Sequence, residues 1–209
     1  MRLARAALIW AALLAAVLGP LALAGTSEFL AYRGPAYIIA GFAGILALGL
    51  VLVQPLLIGG YLPGFAGSAG RRAHLWIGAA LVAASVVHVG GLWIASPPDM
   101  IDALLFMSPT LFSPFGVIAM WAIFATALLA ILRRRWGLTP RTWRITHLSF
   151  AVVIVFGSVV HGLLIEGTME TMSKLALCVL VVAAAAKVMG DRVWKKRPSS
   201  RRKSTTTPL

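Results

Sequence analysis

Apolar residues along this chain come in six long runs, covering roughly residues 6–24, 36–62, 74–96, 115–132, 145–165 and 169–189. Each run is long enough, or nearly so, to cross a hydrocarbon core of about 30 Å as a helix. The breaks between them read GTSE, PGFAGSAGRR, SPPD, RRRWGLTPRT and EGTME, and these carry the residues that end helices and form turns. The pattern predicts an all-α fold, a polytopic membrane bundle of six transmembrane helices over residues 1–190. A basic, disordered tail is expected over 191–209. No internal repeat is visible in the sequence. Gln54-Pro55 predicts a kink in the second helix. The stretch PPDMIDALLFMSPTLF either lies flat on the membrane as a short amphipathic helix, able to dock a partner, or packs as a connecting loop.

Composition agrees with a membrane protein: of 209 residues, 60% are hydrophobic and six are acidic. The net charge of +13 does not point to nucleic acid, because the cations cluster between apolar runs, as topology signals do. Arg2 and Arg5, Arg71 and Arg72, the group Arg133, Arg134, Arg135, Arg141 and Arg144, and the tail WKKRPSSRRK fall on one side if every run crosses. That side is expected to be cytoplasmic, with both termini there, in the cell inner (plasma) membrane. The other side receives Glu28, Asp99, Asp102, Glu166 and Glu170, with Arg33 and Lys174 as its cations. Such an acidic rim should attract cationic species. The first run has two readings, a retained helix or a cleaved secretory signal ending at LALA. Cys178 is the single cysteine, so no internal disulfide forms. The chain has no CxxCH for covalent haem attachment.

The chemistry lies in the four histidines. His74 and His88 are fourteen residues apart on the third run, and His147 and His161 fourteen apart on the fifth. Fourteen residues is nearly four helical turns, so each pair shares a face, with about 21 Å between its members along the axis. Both runs cross in the same direction. His74 and His147 therefore share one depth, and His88 and His161 the other. Two such helices facing each other present two stacked imidazole pairs, an arrangement suited to two haems, each held from both faces through neutral ring nitrogens. The facing stripes read Ile77, Gly78, Leu81, Ala84, Ser85 and Phe150, Ala151, Ile154, Gly157, Ser158. Gly78 and Gly157 either leave room for a flat ring or let helices pack closely. A lone intramembrane histidine is often a hydrogen-bonded core residue. Two matched intervals with no histidine elsewhere favour function. Zinc is disfavoured, since each level offers two histidines and no Cys, Asp or Glu at that depth.

At RRAHLWIGAALVAASVVH (71–88) and TWRITHLSFAVVIVFGSVVH (142–161) the chain resembles the ferric reductase-like transmembrane domain superfamily. That group includes ferric reductases, the membrane part of NADPH oxidases, and the haem subunit of the bacterial periplasmic methionine sulfoxide reductase system. The resemblance spans the third to fifth helices. It implies two b-type haems, one held by His74 with His147 and one by His88 with His161. Ferric reductases and NADPH oxidases continue into a flavin and nicotinamide domain. Here about twenty residues, rich in Lys and Arg, follow the last run, without GxGxxG. The electron donor is then expected to be separate, a flavoprotein reductase or membrane quinol, with any flavin or quinone supplied by the partner or the membrane. Arg72 and Arg144, just before the inner ligands, are candidate cations for haem carboxylates.

The expected function is a b-type di-haem membrane cytochrome, the electron-transfer subunit of an oxidoreductase. It would serve an external acceptor such as a periplasmic reductase or a ferric substrate. Its partners are lipid and redox proteins rather than nucleic acid. The alternative from another class is a small transporter or ion channel with a histidine relay, which would want acidic partners inside the bundle and broken helices.

Overall fold

A computed structural model describes residues 1–194; the tail expected to be disordered lies almost wholly outside them. The elements are α1 (Arg2–Ala24), a 3-10 turn (Glu28–Leu30), α2 (Pro35–Gly59), α3 (Gly67–Ala95), α4 (Pro97–Leu104), α5 (Ser113–Leu132), α6 (Pro140–Leu164) and α7 (Thr171–Trp194). All described regular structure is helical. Six helices, all but α4, are long and apolar enough to cross a membrane. The protein is a multi-pass membrane protein.

Helix ends follow local chemistry. Pro35 and Pro140 occupy first helical positions, where the missing N–H costs nothing. The Thr139 hydroxyl accepts the Thr142 N–H at 3.1 Å, capping α6. Gly60 ends α2 at φ 72°, a left-handed conformation open to glycine, with its N–H on the last carbonyls. Two helices start earlier than the apolar runs imply. α3 begins at Gly67 and α6 at Pro140, so their first two turns carry Arg71, Arg72, Arg141 and Arg144. Apolar length reports the part of a helix inside hydrocarbon, and a capped helix continues beyond it. Pro55 lies inside a continuous α2.

Chain direction alternates. Trp10 meets Phe65 with ring centres 5.8 Å apart, and the Tyr61 hydroxyl donates to Asp191. The start of α1, the α2–α3 turn and the end of α7 therefore share one end, together with the arginines of α3. This is the basic end; the opposite, acidic end carries α4 and the α6–α7 turn.

Packing rests on two tight hairpins, α2 with α3 and α5 with α6. Lipid is as apolar as leucine, so van der Waals fit between small residues, rather than water exclusion, holds such helices together. A Cβ on Gly91 of α3 would stand 2.9 Å from the Ala36 oxygen and the Ala40 Cβ of α2. A Cβ on Gly157 of α6 would stand 2.9 Å from the Phe115 oxygen and 3.0 Å from the Ala119 Cβ of α5. α7 closes the core with the fully buried Leu177, Cys178 and Val181. α1 lies outside, fitting Val17 against Gly49 of α2. The backbones of α3 and α6 keep apart, with side chains bridging between them. The PPDMIDALLFMSPTLF stretch forms α4, burying Met100 and leaving Leu105, Met107 and Leu111 exposed.

Candidate functional site

The histidines expected to share a depth are brought together. The rings of His74 and His147 have centres 6.1 Å apart at an interplanar angle of 70°. Those of His88 and His161 are 6.3 Å apart at 80°. Both pairs bridge α3 and α6, at opposite ends of the gap between them. The four side chains are half-buried.

At the acidic end each ring is held from behind by the other helix of its hairpin. His88 Nδ1 is 2.7 Å from the Ala40 carbonyl oxygen. His161 Nδ1 is 3.0 Å from the Phe112 carbonyl oxygen. A carbonyl can only accept, so in each ring Nδ1 carries the proton and Nε2 offers its lone pair. This is the second partner that ligating histidines require to fix tautomer and ring plane. A glycine lies against each ring. A Cβ on Gly44 would stand 2.8 Å from His88 Nδ1, and one on Gly116 2.6 Å from His161 Nδ1. Carbonyl and glycine are one turn apart in both cases, Ala40 with Gly44 and Phe112 with Gly116. The two hairpins thus repeat one device that the sequence does not display as a repeat.

At the basic end the support differs. His74 Nδ1 lies 3.4 Å from the Gln54 carbonyl oxygen, and the Gln54 amide donates back to the His74 carbonyl at 3.3 Å. His147 is stacked on Trp143, with ring centres 5.1 Å apart and planes 23° apart. The Arg133 guanidinium lies 5.2 Å over the Trp143 ring. Arg133, Arg134, Gly137, Leu138, Pro140 and Trp143 line an open cleft of about 460 Å³ there.

Other expected residues fall differently. Because α3 is already helical at Gly67, Arg72 is turned roughly 160° away from the His74 face. Arg144, three residues before His147, shares that ligand's side of α6. Both arginines are exposed, and the cation that the structure sets against the His147 stack is Arg133. Gly78 and Gly157 serve packing rather than room for a flat ring. The Gly78 position faces the Gln54 amide at 3.3 Å, and Gly157 faces α5. Gly44, Gly116, Gln54 and Trp143 are site residues missed as such in the sequence. For Trp143 a signal existed, since it precedes His147 by four residues and so lies on the same helical face.

The donor set can be tested against a metal. Among the described residues no three or more His, Cys, Asp or Glu converge; histidines meet in twos, half of what tetrahedral zinc takes. Two imidazoles on opposite sides of one metal, with bonds of about 2.0–2.1 Å and ring centres about 1.2 Å behind the nitrogens, stand about 6.4 Å apart. The ring-centre separations of 6.1 and 6.3 Å lie close to that value, so the two pairs fit a metal that takes its remaining ligands from elsewhere. Comparison with family models, with curated proteins and with solved structures finds no match to this chain.

Proposed function

We propose that this protein is a b-type di-haem membrane cytochrome that carries electrons across the bilayer. The observation that carries the reading is the double imidazole pair. Four histidines, the full complement of the chain, form two facing pairs at two depths, each with the spacing of axial ligands on one metal. His74 and His147 would hold the haem at the basic end, and His88 and His161 the one at the acidic end. Haem with two imidazole ligands supplies one-electron exchange at an iron with no open position.

The protein's own part is to orient and insulate. The Ala40 and Phe112 carbonyls keep the Nε2 lone pairs of His88 and His161 free. Trp143 holds the His147 plane. The apolar faces of α3 and α6 exclude water between the levels. The ligand-bearing residues are about 21 Å apart along each helix, so together they span most of the hydrocarbon core. The basic end is read as cytoplasmic, in a cell inner membrane. The donor there is a separate flavoprotein or membrane quinol, and the acceptor is an external reductase or ferric complex beyond the acidic rim. This is the role of the short members of the ferric reductase-like superfamily that the chain resembles. A histidine relay for ion transport is less well supported, because the fixed His88 and His161 rings are held by backbone carbonyls rather than by acidic partners.

Absorbance of the purified protein tests the proposal. The expected result is a low-spin b-type spectrum with two haems per chain, extractable by acid. Protein that inserts normally and shows no Soret band overturns it.

A further inference from the structure

The α6–α7 turn holds a buried charge that the function described above leaves unused. Lys174, in the first turn of α7, is 8% exposed. Its ammonium donates to the Ile165 carbonyl at 2.9 Å. An ammonium has three donors, and a single backbone carbonyl uses one and neutralises none of its charge. Among the described residues the one salt bridge is Lys187–Asp191, at the other end of α7. The nearest carboxylate in sequence, Glu170, is committed elsewhere. Its two oxygens accept the Met172 and Ser173 N–H groups, each at 2.7 Å, which holds its carboxyl below the usual range. A buried cation without an anion is expensive enough that such groups are normally paired.

Between Ile165 and Lys174 in the chain lies Thr168, 7% exposed. Its hydroxyl lies 3.6 Å from where a Cβ on Gly41 would stand. Gly41 and Gly44 share a face of α2 one turn apart, and Gly44 lies against the His88 ring. The positions on α2 that meet Thr168 and His88 are therefore about 4.5 Å apart along the helix, Thr168 on the outer side. On α6, Ile165 is four residues beyond His161 and its N–H bonds to the His161 carbonyl at 3.1 Å. The turn bearing Thr168 and Lys174 thus sits over the acidic-end pair, tied to both of the helices beside it.

We infer that Lys174, assisted by the Thr168 hydroxyl, receives a carboxylate at the acidic end of the bundle, a propionate of the haem held by His88 and His161. The inference rests on the di-haem reading. A lysine beside a propionate offsets its negative charge, and a positive charge near the iron favours the reduced state. Lys174 is a positioning residue in this role and sets a potential.

The test is a spectrally monitored redox titration of the detergent-purified full chain. Wild type should show two one-electron transitions, one of them absent in His88→Ala. Lys174→Gln should lower that transition and leave the other in place, and Lys174→Arg should restore it. Reconstitution with haem dimethyl ester, which has no carboxylate, should abolish the effect of Lys174→Gln. If the effect persists there, the carboxylate is not a propionate and the inference fails, a soluble carboxylate acceptor being the remaining source. Two wild-type transitions with neither moved in Lys174→Gln overturn the inference alone. A wild type without haem overturns the functional reading and the inference with it. Should Lys174→Gln not insert, Thr168→Val carries the same test, with a smaller downward shift expected and no shift overturning the inference.

Discussion

The two histidine pairs have almost the same ring separation, yet they are built from different materials. At the acidic end both rings are tied to backbone: a carbonyl fixes each Nδ1, and a glycine one turn on brings a helix within contact of the ring. At the basic end side chains do the holding, through the Trp143 stack and the long, reciprocal Gln54–His74 contacts. Backbone cannot shift without moving a helix, so the acidic-end pair is rigid. The basic-end pair can adjust as side chains turn. Residue identity is equal at the two levels; tolerance is not.

The sharpest way to break this comparison is to remove a ligand. His88→Ala or His161→Ala should eliminate the acidic-end haem and retain roughly half the haem absorbance, since each level has its own two ligands. Loss of all haem in a protein that inserts normally would show that the levels are not independent.

Next in size is overpacking. Gly116→Ala puts a methyl 2.6 Å from His161 Nδ1, and the Phe112 bond keeps the ring from moving aside. Such an insertion costs about 1–3 kcal/mol, and haem occupancy at the acidic-end level should fall while the other level persists. Gly90→Ala, where a Cβ meets nothing within 4 Å, is the control and should be silent. Equal effects of the two substitutions would remove the claim that glycine at 116 is a ring contact.

The smallest effect belongs to the basic end. Trp143→Ala loses a stack worth about 0.5–1.5 kcal/mol. It should weaken retention of the basic-end haem several-fold without abolishing it, and Trp143→Phe should recover most of the loss. Haem titration of the apoprotein in detergent reads the difference. A Trp143→Ala defect as complete as that of His147→Ala would mean that side-chain support is no softer than backbone support.

The helix count and the pairing of histidines were both readable in the sequence, because each depends on intervals within a chain segment. Apolar length sets crossings, and a fourteen-residue interval on two helices of the same direction sets depth. What supports the ligands was not readable. Gly44 and Gly116 act on rings 44 and 45 positions away in sequence, on other helices, and nothing local distinguishes them from ordinary packing glycines. At Gly78 and Gly157, close in sequence to histidines, the sequence left ring room and helix packing open, and the structure turns both toward packing, against α2 and α5. For Arg72 the sequence reading weighed depth and not helical phase, which turns it from the His74 face. Gln54 was read only as a neighbour of Pro55, although a polar side chain within an apolar helix calls for a partner. Lys174 was counted as one external cation, since burial does not show in a charge tally.

One consequence of the hairpin packing concerns biogenesis. Because α2 grips α3 and α5 grips α6, while α3 and α6 stand apart, the chain divides between α4 and α5 into two pieces with complementary halves of both centres. The first piece carries His74 and His88 with the Ala40 anchor; the second carries His147 and His161 with the Phe112 anchor. Neither piece completes either centre. The two pieces already meet through α7 of the second, which packs on α2 and α1 of the first; on the di-haem reading, loading would add a second tie, between α3 and α6. On that reading cofactor supply would govern how firmly α3 and α6 are tied, and α7 packing whether the bundle closes. Protein from haem-starved cells should then be inserted and closed through α7, yet more readily nicked between α4 and α5 than protein from haem-replete cells.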